Sequence, residues 1–325
     1  FVYTVGQIVS QSVPRPAPAP KLSSTQLKDL NGGEFPYNGC GQMHSHQFCI
    51  YEDAPEEHET TPGPSRSAQL GIRYRLEVFR THGKGWGVRS WDKIPAGAFV
   101  CEFGGEVITE AECDKRAKEA SNLHLKKSEA VEVENVKPEG LFNEYMFDLT
   151  VLGLPLYEHA TGKPIPGGNH DYSGYQLDPV RGGDSKTNSA FAWKALQQAN
   201  LCPSDVELLY HLDGKRAGSV ARFINHNHKV LGNELSQYNQ CTLVCNLQSL
   251  HDMRLISLTC GIPQQPNLFI QMCLWDHHDP RLMRLCLFAA ETIPPLTELT
   301  YDYGSDYENL LLDGKSLASL RIGSR

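Results

Sequence analysis

The chain has 325 residues and a formal net charge of −8, with 30 Lys and Arg against 38 Asp and Glu. That length suits one large domain or two small ones, and the acidic balance argues against a generic nucleic-acid binder while suiting a basic peptide partner. No apolar run is long enough for a transmembrane helix and no leader peptide is recognisable, but the start on Phe1 rather than Met leads us to expect a piece of a longer protein.

Phe1–Gln11 clusters Phe, Val, Tyr and Ile and suits a short strand. Val13–Pro20 alternates Pro with Ala and Arg, the composition of an extended polyproline linker. Cys40, His44, His46 and Cys49 offer the two Cys and two His that suit tetrahedral zinc. Their spacing, C-x3-H-x-H-x2-C, crowds four ligands onto one short loop, so a flexible loop with incidental His and Cys is the expectation. The 10 cysteines contain no C-x-C or C-x-x-C pair, which argues against a zinc cluster and a disulfide scaffold. Buried, reduced thiols in an intracellular protein fit better. Ala54–Ser67 is acidic and then rich in Pro and Ser, the composition of a disordered segment.

Tyr74–Phe79 alternates Tyr, Leu and Val against Arg and Glu with period two, which predicts a strand. His82–Gly85 is a turn, Trp86–Ser90 a second strand, Ile94–Gly97 a second turn and Phe99–Phe103 a third strand. Thr109 with Glu112 three residues on is a capping-box pattern for a helix over 110–120. Glu144–Val151 returns to strand character, Leu152–Lys194 is loop-like, and Pro203–Tyr210 suits one or two helical turns. Ala221–His226 places Phe-Ile before Asn225-His226. Asn227–Gln265 shows no clear periodicity and is longer than usual connections. Pro266–Leu274 and Leu285–Ala290 are predicted strands, and Ile293–Leu296 a turn.

Three stretches in this order carry a resemblance: Lys84-Gly-Trp-Gly87 running on to Val88-Arg-Ser-Trp-Asp92 and Ile94-Pro-Ala-Gly97; Ala221-Arg-Phe-Ile-Asn-His226; and Phe288–Gly304 with its E-L-T-Y-D-Y-G ending. Together they are similar to SET-domain protein lysine methyltransferases, and within them to the plant Su(var)3-9-like histone H3 lysine 9 group. The likeness covers Asn31–Tyr37, Arg73–Glu106, Asn143–Leu149, Asp213–His226 and Pro266–Gly304. It implies a mainly β fold with few helices, in several short antiparallel sheets with long irregular insertions. The implied domains are a degenerate pre-SET region and linker over 1–72, a SET domain over 73–304 and a tail over 305–325. Within the SET domain, 152–194 is a variable loop and 227–265 a foreign insertion, read either as a gene-model artefact or as a real divergence.

Lysine methylation needs a bound sulfonium donor, a neutral amine and a channel that aligns them. The resemblance implies S-adenosylmethionine as cofactor, with Lys84, Gly85, Trp86, Arg222, Asn225 and His226 as its contacts. Glycine suits the close approach of backbone to a ligand; taken alone, G-W-G is a turn beside a core tryptophan and His226 a core histidine. Tyr303 carries over as the catalytic tyrosine, Tyr145 as a second wall of the lysine slot, and Tyr301 as a hydroxyl that favours mono- and dimethylation. Sheet packing is the ordinary role of a strand tyrosine. Asp148 and Asp302 are implied to be structural, and Glu102 and Glu106 are expected at strand edges.

The departures matter as much. Relatives hold a three-zinc cluster with cysteines flanking the Asn31–Tyr37 equivalent, where this chain has Ser23–Asp29. The cysteine after the Asn-His pair is replaced, and the post-SET C-x-C-x4-C is missing. The expectation is therefore no metal site. The implied setting is the nucleus and chromosome, with the histone H3 tail and chromatin as partners, a role in silencing, no membrane and no direct DNA contact from this fragment. Two alternatives stay open: a weak or inactive SET scaffold on chromatin, and an enzyme for a non-histone lysine.

Overall fold

The computed structural model describes residues 1–15, 18, 21–44, 49–54, 62–81, 84–116, 118–119, 145–149, 210–227, 265–277, 279 and 282–303. The strands and first helix among them are, in chain order, β1 (Val2–Tyr3), β2 (Ile8–Val9), α1 (Ser24–Leu30), β3 (Ile50–Tyr51), β4 (Leu76–Arg80), β5 (Trp86–Ser90), β6 (Phe99–Glu102), β7 (Glu106–Thr109), β8 (Met146–Asp148), β9 (Tyr210–Asp213), β10 (Ala217–Gly218), β11 (Asn225–His226), β12 (Leu268–Leu274), β13 (Arg284–Ala289) and β14 (Glu298–Tyr301). Short β-branched and aromatic runs punctuated by Gly and Pro dictate this many-stranded outcome, as expected for the fold class.

The chain divides into two units. The first comprises Phe1–Arg73, Gly97–Arg222 and Ile270–Phe288; the second comprises Tyr74–Ala96, Phe223–Phe269 and Ala289–Arg325. In the first unit one sheet runs β2-β7-β9-β8, and β1 pairs with β10. A further sheet runs β3-β12-β13-β6. Phe288 lies at its centre, with Tyr37 stacked at 6.2 Å and Phe99 edge-on at 5.6 Å. In the second unit the sheet order is β11-β14-β5-β4. There the period-two pattern of β4 meets β5 in register from Leu76↔Ser90 to Arg80↔Trp86.

β5 has the bounds predicted for it, and β12 and β13 fall within a residue or two of theirs. The sheets, however, mix antiparallel with parallel pairs: β1 with β10, β2 with β7, β3 with β12 and β11 with β14 are parallel. Parallel neighbours need long connections, so short local patterns carry no signal for them.

Several other expectations are corrected. One element is additional to the expectations, since α1 lies where relatives carry cysteines: Ser23 caps it, with its hydroxyl accepting from the Gln26 N–H and Gln26 reaching back to the Ser23 N–H. That is an S-x-x-Q capping box, a pattern legible in the sequence. Val13 is buried rather than part of an extended linker, and its N–H closes a turn onto the Ser10 carbonyl. Residues 62–67 are ordered, with Arg66 and Ser67 buried. Tyr210 is a strand residue paired with Thr109, not a helical one. Glu106–Thr109 is a strand that the Gly104-Gly105 pair before it obscured. Helix follows over 110–116, and Thr109 Oγ1 accepts from the Glu112 N–H at 3.4 Å. The Glu112 carboxylate does not complete the box; it pairs with Lys115 and Arg116.

Glu102 is no edge charge in solvent. It is buried, accepts from the Gln7 N–H at 2.7 Å, and forms an ion pair with Arg284 at 3.1 Å. Burial pushes its carboxyl up, opposed by Arg284 and the Gln7 bond. Arg284 Nη2 also holds Asp276 at 2.6 Å. Most of the loop 152–194, the insertion 227–265 and the tail 305–325 lies outside the described residues, as does His46.

Candidate functional site

The second unit gathers five of the nominated residues around β11. Two residues of parallel strand lay Asn225 opposite Thr300 and His226 opposite Tyr301. β14 is fixed from elsewhere too. Buried Asn267 accepts from the Thr300 N–H at 2.9 Å and donates to the Glu298 carbonyl at 2.9 Å. A side-chain amide thus satisfies two backbone groups of one strand, which locks its register.

Asn225 Nδ2 donates to the Trp86 carbonyl at 3.0 Å and to Glu298 Oε1 at 2.8 Å. The G-W-G backbone and the Asn-His pair are therefore joined directly. Gly85 has φ +78° and, among the described residues, nothing within 4 Å of where a Cβ would stand. This leaves its backbone open to a ligand. Gly87 is required for packing: a Cβ there would lie 2.6 Å from Thr81 Cγ2, 3.2 Å from Asn225 Nδ2 and 3.3 Å from Glu298 Oε1. Thr81 Oγ1 in turn donates to the Gly85 carbonyl and accepts from the Lys84 N–H. The Trp86 side chain is half exposed, with the Arg80 guanidinium 4.6 Å from its ring centre.

The tyrosines complete the cluster. Tyr301 is buried, and its ring lies 4.6 Å from that of Tyr303. The Tyr303 hydroxyl donates to the Ile224 carbonyl at 2.6 Å, and its N–H donates to His226 Nδ1 at 3.0 Å. That second bond makes Nδ1 the acceptor and leaves Nε2 to carry the proton of a neutral ring. The His226 and Tyr303 rings meet edge-on at 5.2 Å, and Asp302 Oδ1 stands 4.0 Å from His226 Nδ1.

Arg222 and Tyr145 belong to the first unit, where they meet each other. The Arg222 guanidinium lies 4.2 Å from the Tyr145 ring centre and 4.1 Å from that of Phe1. Sequence reasoning passed over Glu298 and Thr81, and took Asn267 only as the end of the family's interrupted N-H-S-C-x-P-N run, without its bonds to β14. Glu298 stands within the E-L-T-Y-D-Y-G stretch and was legible there; Thr81 carries no signal without its partners. The Asp148 side chain is outside the described residues.

A family model described as the SET domain matches residues 85–304. Among curated relatives, the Arabidopsis thaliana histone-lysine N-methyltransferase, H3 lysine-9 specific SUVH4, is 29% identical over 281 residues, covering 85% of this chain and 31% of SUVH4. The chain thus spans about a third of that relative's length. Arabidopsis thaliana SUVH6, solved in complex with SAM, superposes with a TM-score of 0.51 at 26% identity, covering 93% of this chain and 44% of that one. The Neurospora SET domain protein DIM-5, a histone lysine methyltransferase, superposes with a TM-score of 0.52 at 21% identity over 93% of this chain and 88% of its own, a likeness of fold.

Proposed function

Because the chain belongs to the SET-domain family, we propose that it is an S-adenosylmethionine-dependent protein-lysine N-methyltransferase acting on histone H3 lysine 9. The observation that carries this reading is the bonded cluster of Trp86, Asn225, His226, Tyr301 and Tyr303. It joins an open glycine backbone, an aromatic face and paired tyrosines, which suit a cationic sulfonium and a lysine side chain.

S-adenosylmethionine, when bound, supplies an electrophilic methyl group, whose C–S bond breaks as the C–N bond to the lysine amine forms. Gly85 and Trp86 would hold the donor, with Lys84 beside them. Asn225, tied to the Trp86 carbonyl, keeps this backbone in place. His226 fixes Tyr303 by accepting its N–H. Tyr303 orients the amine, and Tyr301 narrows the space beside it, which favours mono- and dimethyl products. The amine proton leaves to solvent. Arg222 and Tyr145, in the first unit, are nominated for donor and lysine by the resemblance alone. The setting we infer is nuclear chromatin and the basic H3 tail, which the acidic chain attracts.

Calorimetry with S-adenosylmethionine, followed by methyl transfer to an H3 tail peptide, tests the reading. Micromolar binding, about −8 kcal/mol, and transfer to lysine 9 are expected. Binding without transfer to any peptide would favour a chromatin scaffold, and transfer only to other lysines a non-histone substrate. A folded chain that binds no donor would sink the enzyme reading.

A further inference from the structure

The resemblance implies zinc held by cysteines around Asn31–Tyr37, and the residues present do not suit it. Cys40 is exposed, whereas Cys49 is buried with its thiol toward the Ile50 carbonyl at 3.7 Å. Burial pushes the Cys49 thiol far above its ordinary range, which disfavours the thiolate that zinc requires. Among the described residues, no three His, Cys, Asp or Glu side chains are grouped to hold a metal ion.

What stands at the centre of this segment is Glu52, 1% exposed. Its Oε1 accepts from the Tyr37 hydroxyl at 2.6 Å, the Ser67 N–H at 2.9 Å and the Ala68 N–H at 2.6 Å. Its Oε2 accepts from the Gln69 N–H at 3.0 Å. Three successive backbone N–H groups converging on one carboxylate form an anion-binding nest, filled here by the chain's own side chain. The same residue is fixed along its backbone, since the Glu52 N–H donates to the Leu274 carbonyl at 2.8 Å.

Neighbouring bonds extend the grip. Asn31 Nδ2 donates to the Tyr51 carbonyl, and the Tyr51 N–H returns to Asn31 Oδ1. The Ser67 hydroxyl donates to the Gly41 carbonyl at 2.6 Å. Asp53 pairs with Arg66 at 3.4 Å. Among the described residues, Glu52 is bonded by neutral donors, which stabilise a buried charge when they are numerous and well aligned.

We propose that Glu52 is an internal anion that organises the described residues 31–44, 49–54 and 62–69 and makes them independent of zinc. The polarity is the reverse of a metal cluster: one anion gathers neutral donors, where a cation would gather anionic ligands.

The test is made on the full chain, purified without a metal-affinity tag. Elemental analysis is expected to find far less than one zinc per chain, and a strong chelator should leave the melting temperature unchanged. Glu52→Ala should lower the melting temperature and open residues 31–44 and 62–69 to proteolysis. If that variant does not fold, Tyr37→Phe, which removes one donor, should show a smaller shift of the same sign. Cys40→Ser combined with His44→Ala should melt like the parent. One or more retained zinc atoms with melting that falls on chelation would overturn the proposal. So would loss of zinc in the Cys40/His44 variant, or parental melting in Glu52→Ala or in Tyr37→Phe.

Discussion

The Tyr303 hydroxyl donates to the Ile224 carbonyl at 2.6 Å, which ties the residue two beyond β14 to the residue just before β11. Phenylalanine at 303 would keep the ring contacts with Tyr301 and His226 but lose this donor. On the proposed function, Tyr303→Phe should lower methyl transfer on the order of 100-fold through misalignment, with donor affinity close to the parent's. Single-turnover transfer and calorimetry on the same protein check this. A parallel loss of donor binding would mean that the bond serves to hold β11 rather than the amine.

Asn225→Ala removes the donor that serves both the Trp86 carbonyl and Glu298 Oε1. Ordinary hydrogen bonds of this kind contribute about 0.5–1.5 kcal/mol, so the donor dissociation constant should rise roughly threefold to tenfold. Asn267→Ala, which strips two bonds from β14, should lower the melting temperature as well. Calorimetry and thermal melting together separate a local loss from a general one.

Gly87→Ala places a Cβ 2.6 Å from Thr81 Cγ2, a methyl held in place by the bonds of Thr81 Oγ1. Overpacking of this kind costs about 1–3 kcal/mol. Donor affinity should fall, and Thr81→Ser in the same chain should restore part of it by removing the methyl. If the double variant binds no better than Gly87→Ala, the contact with Asn225 and Glu298 is the one that matters.

His277 is buried beside Asp276, Arg284 and Asp279, and burial is the main reason its ring is harder to protonate than usual, with Arg284 acting the same way and the two aspartates opposing. A histidine depressed in the folded state contributes stability above its ordinary value of 6.5 that is lost as pH falls through its folded value. Glu102 has the opposite sign: with its carboxyl raised, its contribution is full below the ordinary carboxylate range and is lost as pH rises through the raised value. Melting temperatures between neutral pH and about pH 5 should therefore fall with acidification more steeply in the parent than in His277→Asn. Equal slopes in the two proteins would remove His277 as the cause.

Local order determined much of this protein. Period-two alternation marked β4, strand stretches were recognised at β5, β12 and β13, and the G-W-G, Asn-His and E-L-T-Y-D-Y-G stretches pointed to the family, because side-chain pattern and turn chemistry act over a few residues. Tertiary structure decided which of these meet. The bonds from Asn225 to the Trp86 carbonyl, from Tyr303 to Ile224, and from Asn267 to both ends of the Glu298–Thr300 stretch join segments tens of residues or more apart. The parallel pairs are of the same kind. The burial of Glu52 and Glu102 was illegible because a carboxylate goes inside only when distant donors surround it, here Tyr37 with the 67–69 backbone and Arg284 with Gln7.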